Sequence, residues 1–152
     1  MRIRKATEND LTAIQGLNAH LFKFDSQFDN TLKLSWSFDK EGETYFRQMI
    51  KSEFCYVAEE PQGEIVGYLA GSFINKCTYG EEYAELENMY VSEKYRNHKI
   101  GSKLLSEFFE QCKRKNINAV RVTASVRNDG ALAFYKKNGF DEFDMILRKK
   151  LN

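Results

Sequence analysis

The sequence predicts a single α/β domain, and three observations support this. Its 152 residues are enough for one domain with a sizeable core. Strand-like apolar runs alternate with amphipathic helices in the order β-α-α-β-β-β-α-β-α-β. The strand–helix–strand unit from Tyr83 to Val126 predicts a right-handed parallel crossover, whereas a turn at Pro61-Gln62-Gly63 predicts an antiparallel hairpin. We therefore expect a mixed sheet, with antiparallel strands in its N-terminal part.

The first half of the chain predicts three strands and two helices. Thr7 is the expected cap of the first helix, whose apolar residues recur at helical spacing. The aromatic stretch Phe22–Phe38 has no clean period, and we expect it to be part core and part wall of a substrate site. The expected elements are a strand over Arg2–Ala6, a helix from Thr7, a helix over Glu43–Lys51, and strands over Phe54–Ala58 and Ile65–Ile74.

The second half alternates strands and helices more regularly. Its apolar residues follow a period of two in the strands and of about 3.6 in the helices. A short helix is expected to end at Asn138-Gly139, because glycine is typical of helix C-termini. The expected elements are strands over Tyr83–Val91, Val120–Val126 and Phe143–Leu147, and helices over Ile100–Lys115 and Asn128–Lys137.

The stretch from Glu85 to Leu105 carries the strongest functional signal. A strand there leads through a basic loop into a helix, and the first N–H groups of a helix have no partner within it. Basic side chains beside free N–H groups are suited to a pyrophosphate. In the strand, the apolar alternation slips by one residue at Glu87 and Asn88, which predicts a β-bulge.

Two motifs in the second half match the pattern of a known superfamily. The first is the loop, where Val91, Tyr95-Arg96, Gly101 and Ser102 match. Asn97 and Lys99 stand where that pattern most often has glycine, and Lys99 in particular needs a backbone conformation that a side chain tolerates, since a positive φ is costly for most residues. The second motif is NDGALAFYKKNGF, in which Asn128, Ala131, Phe134-Tyr135 and Gly139-Phe140 match. With these motifs the chain resembles the GNAT superfamily of acetyl-CoA-dependent N-acetyltransferases, and the resemblance is specific from Glu85 to Phe140.

The resemblance implies a GNAT-like mixed sheet in which a parallel pair of strands splays apart at a cofactor cleft. Acetyl-CoA is the implied co-substrate, with its pantetheine arm bonded to the backbone of Met89–Val91 and to Asn128, and its pyrophosphate at the loop. The implied cofactor-binding residues are Met89, Tyr90, Val91, Arg96, Asn97, His98, Lys99, Ile100, Gly101, Ser102, Asn128 and Tyr135.

Acetylation of an amine requires a base, an oxyanion donor and an acid for the departing thiolate. A lysine-type amine has a pKa of about 10.4, so a nearby carboxylate helps to remove its proton. Glu87 and Glu85 are the candidates, and Glu87 is preferred because it adjoins the phase slip. Both also fit an ordinary exposed or salt-bridged glutamate. The Met89 N–H is the expected oxyanion donor, and the resemblance implies Tyr135 as the acid.

Composition excludes several other classes. The formal net charge of +1 disfavours partners bound through bulk charge, so we expect neither nucleic acid nor membrane as a partner. No apolar run reaches the length of a membrane span, and the first residues lack a signal-peptide core. The isolated Cys55, Cys77 and Cys112 are typical of reduced cytoplasmic thiols. With only two histidines, no metal site is expected.

Three function classes remain distinct at this stage. The preferred one is direct transfer of acetyl from acetyl-CoA to a primary amine of a small molecule or peptide, by a single N-acetyltransferase domain over residues 1–152. The alternative is a catalytically weak CoA-binding sensor or interaction module of the same fold, supported by the missing loop glycines. A mixed α/β RNA-binding sheet is disfavoured, since no aromatic-basic RNA motif is present. Homodimers are common among the proteins that this chain resembles, but the sequence itself does not indicate the oligomeric state.

Overall fold

A computed structural model of the chain describes residues 1–75 and 80–151. Its strands are β1 (Arg2–Lys5), β2 (Cys55–Glu59), β3 (Ile65–Ile74), β4 (Tyr83–Val91) and β5 (Ala119–Val122). Its helices are α1 (Leu11–Asp25), α2 (Lys40–Lys51), α3 (Ile100–Arg114) and α4 (Asp129–Lys137). Short 3₁₀ turns occupy Glu8–Asp10, Trp36–Phe38 and Glu93–Tyr95.

The five strands of the described residues form one sheet in the order β1-β2-β3-β4-β5. The first three pairs are antiparallel, and β4 pairs with β5 in parallel through the α3 crossover. The mixed α/β sheet predicted from the sequence is therefore confirmed, including its parallel pair. Strand β4 occupies the predicted residues 83–91.

The predicted bulge lies at Glu87. Asn88 is paired with Ala70, but Leu86 is paired with Gly71, so Glu87 is an extra residue with no partner in β3. Gly71 permits a close approach at this point: a Cβ there would lie 2.6 Å from the Glu85 carbonyl oxygen and 2.6 Å from the ring of Phe108. The bulge and the glycine together bend β4 where its apolar alternation changes phase.

Strands β4 and β5 separate immediately before the bulge. Their parallel register runs from Tyr83, opposite Ala119, to Leu86, opposite Val122, while β4 continues to Val91. This opens the cleft that the resemblance implied. The prediction that β5 reaches Val126 was wrong, because a strand needs a hydrogen-bonded neighbour and β4 has already turned away.

Each face of the sheet carries its own hydrophobic core. Helix α3 covers one face, where Leu104, Leu105 and Phe108 are fully buried against β2, β3 and β4. Helices α1 and α2 cover the other, where Ile14, Phe46, Val57 and Tyr68 are fully buried. This explains why β2 and β3 are apolar on both faces. The buried Tyr68 hydroxyl accepts a hydrogen bond of 2.9 Å from Asn18 Nδ2.

The first helix differs from the prediction at both ends. Thr7 precedes a 3₁₀ turn rather than the α-helix, and its N–H donates to the Asp10 carboxylate at 2.7 Å. Asp10 also binds Arg4 of β1 at 2.7 Å, which ties the start of α1 to the sheet. At the other end the helix takes in residues 22–25, the start of the stretch that lacks a clean period. Helix α2 begins three residues earlier than predicted, at Lys40.

The predicted last strand, Phe143–Leu147, was wrong for this chain. Residues 141–151 have no strand assignment, and Phe143, Met145, Ile146 and Leu147 are each more than 70% exposed. The alternation of the sequence is that of a strand, but no neighbour in the described part of the chain pairs with it.

Cys55 and Cys112 are buried free thiols, whereas Cys77 lies outside the described residues. Burial raises the pKa of Cys55 to about 12 and that of Cys112 to about 11, so both are thiols rather than thiolates at neutral pH.

Among the described residues, no helix has the length and apolar character required to cross a bilayer.

The space around Gly71 and around Gly16 predicts opposite effects on stability when each is replaced by alanine. Gly71→Ala is expected to lower the free energy of unfolding by about 1–3 kcal/mol, because the added methyl overlaps a backbone oxygen and a core ring. Gly16→Ala, inside α1 with no atom within 4 Å of the new methyl, is expected to raise it by about 0.5–1 kcal/mol. Urea unfolding measures both; a Gly71→Ala protein as stable as wild type would contradict the close approach.

Candidate active site

The loop before α3 adopts the backbone conformation for which glycine is usually selected. Asn97 has a φ of 66° and Lys99 a φ of 60°, both in the left-handed region. Lys99 is the residue before α3, and its carbonyl accepts the N–H of Lys103 at 3.0 Å. A non-glycine residue in this conformation costs about 1 kcal/mol of conformational free energy. The loop therefore has the backbone conformation of a glycine loop although it carries side chains. The N–H groups of Ile100, Gly101 and Ser102 begin the helix and point out of its start.

Arg96 and His98 are held by backbone carbonyl oxygens around this helix start. Arg96 Nε donates to the Val91 carbonyl at 3.1 Å, and its guanidinium lies 5.3 Å from the ring centre of Tyr90. His98 Nδ1 lies 2.8 Å from the carbonyl oxygen of Arg96 and therefore carries the proton. Arg96 thus joins the basic loop to the end of β4, and Lys99 adds a further charge; binding of an anion at this helix start stays a prediction.

Gly101 is required by packing between helices. A Cβ at Gly101 would lie 3.0 Å from Phe134 Cζ and 3.9 Å from Met89 Cε. The glycine therefore lets the first turn of α3 approach α4 and the end of β4. A large side chain at this position would disturb the fold as well as any bound anion, so charge at the helix start is better tested at Ser102.

Asn128 caps α4. Its Oδ1 accepts the N–H of Ala131 at 3.0 Å, which is the geometry of a helix N-cap. Hydrogen bonding of Asn128 to a cofactor remains a prediction, and the side-chain NH₂ is the group left for it.

Tyr135 lies half-buried on α4. Its ring packs edge-on against Phe134 and Phe140, with centroids 5.4 and 5.5 Å away. Burial, with a smaller contribution from the charge of Asp25, raises the pKa of Tyr135 to about 12, so the hydroxyl stays protonated at neutral pH. No described residue is hydrogen-bonded to this hydroxyl.

Glu87 is the centre of a polar network on the α1–α2 side of the sheet. The Tyr45 hydroxyl of α2 donates to its Oε2 at 2.5 Å, and Ser72 Oγ of β3 donates to its Oε1. Asn88 Nδ2 in turn donates to the Tyr45 hydroxyl at 2.8 Å. The exposed carboxylate is therefore oriented from both neighbouring elements, and its remaining lone pairs are free to accept a further proton donor.

Glu85, the other candidate base, has a different environment. It lies opposite Ser72 in the regular part of β4, and no hydrogen bond or ion pair of its side chain is found among the described residues. The bulge separates it from Glu87 by changing the register between them. Of the two, Glu87 is the one that the surrounding side chains hold in place.

Three polar residues at the site were not singled out by the sequence analysis. The sequence placed Tyr45 only within a predicted helix, and Ser72 only within a predicted strand. Asp25 ends α1, where burial raises the pKa of its carboxyl; its charge in turn raises the pKa of Tyr135. The only sequence signal for Tyr45 is its hydroxyl, a polar group on an otherwise apolar helix face.

Aromatic side chains form the wall beside Glu87. The Trp36 ring centre lies 5.2 Å from that of Tyr45 and 5.6 Å from that of Phe22, which it stacks against. Trp36 also contacts the buried Phe46, at 5.8 Å. Phe24 and Phe38 from the same stretch are exposed.

These features define an α/β protein with a cleft between diverging parallel strands, beside which lie a basic helix start and a carboxylate held by two neighbouring side chains. Residues 21–140 match the family model described as "Acetyltransferase (GNAT) family". The chain belongs to this family. Membership confirms the resemblance seen in the sequence and the predicted enzyme class, an acetyltransferase.

Two relatives are similar in sequence to most of this chain. An uncharacterized N-acetyltransferase of Methanocaldococcus jannaschii is 30% identical over 95% of this chain, which spans only 62% of that protein's length. The thialysine N-epsilon-acetyltransferase of Bos taurus is 30% identical over 90% of this chain and 82% of its own length.

Solved structures agree with the fold. A tetramutant of the BH1408 protein from Bacillus halodurans covers 99% of this chain and 100% of its own at a TM-score of 0.83 and 16% identity. The aminoglycoside N-acetyltransferase AAC(6')-Iy, solved with CoA, covers 99% of each chain at a TM-score of 0.73 and 15% identity.

Proposed function

We propose that this chain, as one N-acetyltransferase domain over residues 1–152, transfers acetyl from acetyl-CoA directly to a primary amine of a small molecule or peptide. The observation that carries the proposal is that the bulge carboxylate lies at one end, and the basic helix start at the other, of the part of β4 that extends beyond β5. Family membership supports the reaction class, and the N-acetyltransferase names of the relatives support an amine acceptor.

The cofactor would lie along the β4–β5 cleft. Residues 87–91 extend beyond the pairing with β5, so their edge is available to the amide groups of a pantetheine arm. The pyrophosphate would accept the N–H groups of Ile100, Gly101 and Ser102, with Arg96 and Lys99 adding positive charge. The structure of a related fold with CoA supports this choice of cofactor. Asn97, His98 and Asn128 complete the proposed contacts.

The acceptor amine would bind beside Glu87. Asn88 Oδ1 is buried without a hydrogen-bond partner among the described residues, and such an acceptor is suited to the N–H of a ligand. Glu87 would accept the proton from the ammonium group, directly or through water, while Tyr45 and Ser72 hold the carboxylate in place. The aromatic wall formed with Trp36 would contact the apolar part of the acceptor.

Attack by the free amine on the thioester carbonyl would give a tetrahedral intermediate and then CoA as a thiolate. The Met89 N–H is the proposed donor to the oxyanion, and Tyr135 the proposed donor of a proton to the thiolate. No acetyl-enzyme is proposed, since Cys55 and Cys112 are buried and held as thiols.

The weaker alternative, a CoA-binding sensor without turnover, rested on the two missing loop glycines. Asn97 and Lys99 both take the left-handed conformation, so the loop keeps its course without glycine. That observation no longer favours the alternative.

We also propose a cytoplasmic location and a homodimer. The two buried free thiols support the first, and the exposed apolar side chains of the C-terminal segment support the second.

Negative charge at the start of α3 is expected to weaken acetyl-CoA binding. Ser102→Glu should raise the dissociation constant at least about tenfold, because a carboxylate would lie beside the phosphates. The fold should be unharmed, since a carboxylate in the first turn favours the helix dipole. Isothermal titration calorimetry measures the change, with Ser106→Glu, one turn further along the exposed face, as the control. Equal affinities in the two variants would place the phosphates elsewhere.

Removal of the bulge carboxylate is expected to lower the turnover rate. Glu87→Gln keeps the shape but not the basicity, and the turnover number near neutral pH should fall by about 10²–10⁴-fold. The deficit should shrink as the pH rises towards the pKa of the amine, because more amine is then already the free base. Steady-state kinetics across pH measures this, with Glu85→Gln as the control. A larger loss in Glu85→Gln would assign the base to Glu85.

Loss of the Tyr135 hydroxyl is expected to affect chemistry and not binding. In Tyr135→Phe the turnover number should fall by about tenfold or more, with acetyl-CoA affinity unchanged, because the proton is needed mainly in the transition state. The raised pKa, about 12, means that wild-type activity should not be lost through this group at pH 8–9. Tyr56→Phe, in the core, is the control. Full activity of Tyr135→Phe at saturating substrates would leave Tyr135 a packing residue.

A further inference from the structure

The end of α1 and the turn after it, residues 24–28, are held from both sides of the β4–β5 cleft; we call them the strap. On the β4 side, the guanidinium of Arg96 lies 5.8 Å from the ring centre of Phe24 and 5.3 Å from that of Tyr90. On the β5 side, Arg127 Nη2 donates a hydrogen bond to the carbonyl oxygen of Phe28. The strap therefore lies across the mouth of the cleft.

The two arginines belong to the two halves of the proposed cofactor site. Arg96 follows β4 and is fixed by its hydrogen bond of 3.1 Å to the Val91 carbonyl oxygen. Arg127 follows β5 and immediately precedes Asn128, the N-cap of α4. The strands β4 and β5 have stopped pairing before either of these points. The strap thus joins two parts of the chain that the sheet itself no longer holds together.

Local contacts give the strap its shape but not its position. Phe24 and Phe28 pack edge to face, with ring centroids 5.8 Å apart. The N–H groups of Phe28 and Asp29 both donate to the Asp25 carbonyl oxygen, at 2.8 and 3.0 Å. Beyond the strap, Arg148 lies 3.7 Å from Asp29 in an exposed ion pair, which contributes little. Its position over the cleft therefore depends mainly on the two arginines.

The strap brings a carboxylate towards the proposed acid. Asp25 follows Asn18 by seven residues of α1, so both lie on the helix face that is turned to the sheet, where Asn18 Nδ2 donates to the Tyr68 hydroxyl at 2.9 Å. No hydrogen bond or ion pair of the Asp25 side chain is found among the described residues. Its charge contributes to the raised pKa of Tyr135, so the strap lies near the proposed thioester site.

We propose that the strap closes the cleft over the thioester and keeps water from it, and that Arg127 is the positioning residue that holds it closed. The inference rests on the proposed acetyl transfer, because that function places a thioester in the cleft. A carboxylate that accepts a proton from an ammonium group accepts one from water as well, so Glu87 alone does not distinguish the two nucleophiles. Exclusion of water makes that distinction.

The reaction that a closed strap prevents is hydrolysis of acetyl-CoA. The oxygen of water would bond to the acetyl carbonyl carbon as Glu87 accepts one of its protons, and the carbon–sulfur bond would then break. The products would be acetate and CoA. Of the two protons of the water, one would end on the CoA sulfur and the other would pass to solvent. Acetate and acetylated amine are formed from the same thioester, so their ratio reports the shielding directly.

The test compares Arg127→Ala with wild type in two measurements; Arg127 is exposed, so the variant is expected to fold. Without substrates, hydrogen exchange followed by mass spectrometry should show the amides of residues 26–29 exchanging about fivefold faster or more, because a hydrogen bond from a charged group is lost. With acetyl-CoA and an accepted amine, the ratio of acetylated amine to acetate should fall about tenfold, with acetate formed faster than by wild type.

Arg127→Lys keeps a donor for the Phe28 carbonyl and should return both measurements to near the wild-type values. Lys5→Gln is the control and should change neither, because it removes an exposed ion pair with Glu53, of 3.0 Å, at the opposite edge of the sheet.

Unchanged exchange in Arg127→Ala would overturn the strap, whatever the activity. Faster exchange with an unchanged product ratio, or with both products formed more slowly in proportion, would overturn its role against water, since a merely weakened fold lowers both rates. A wild type that acetylates no amine would overturn the proposed function and the shielding with it. The exchange measurement would still decide whether Arg127 holds the strap.

Discussion

The extra residue at Glu87 in β4, opposite Gly71 in β3, is the constraint on which the site depends. The added residue turns β4 away from β5 directly after their last pair, Leu86 with Val122. The cleft exists because of that divergence. The same bulge projects a carboxylate towards α2, where Tyr45 receives it. One local irregularity thus accounts for the divergence of the two strands and for the position of the candidate base.

The two ends of the cleft have opposite electrostatic character. At the α3 end, Arg96, Lys99 and free N–H groups favour a polyanion. At the other end, Glu87 and the Asn88 oxygen, which has no hydrogen-bond partner among the described residues, favour a proton donor. A substrate pair made of a phosphorylated thioester and a cationic amine matches this polarity. Tyr135, the proposed acid, keeps its proton over the neutral range because burial raises the pKa of its hydroxyl.

Local patterns in the sequence predicted the fold and part of the site. The slip in alternation located the bulge because it is a property of consecutive residues, and the basic loop located the helix start for the same reason. Tyr45 was missed as a partner of Glu87 because the two are 42 residues apart and meet only in the folded sheet. The same holds for Ser72. For the last strand, a period of two shows that a segment can pair but not what it pairs with, so Phe143–Leu147 was assigned to a sheet that its own chain does not provide.

The central claim is that the cleft carries acetyl from acetyl-CoA to an amine. It is tested most directly by incubating the wild-type chain with isotopically labelled acetyl-CoA and a broad panel of primary amines, and by identifying products with mass spectrometry. The account predicts enzyme-dependent transfer of the labelled acetyl group to the nitrogen of at least one amine, with release of CoA and no acetylated enzyme at turnover. Binding of acetyl-CoA without acetylation of any amine, or a stable acetyl-enzyme intermediate, would contradict it.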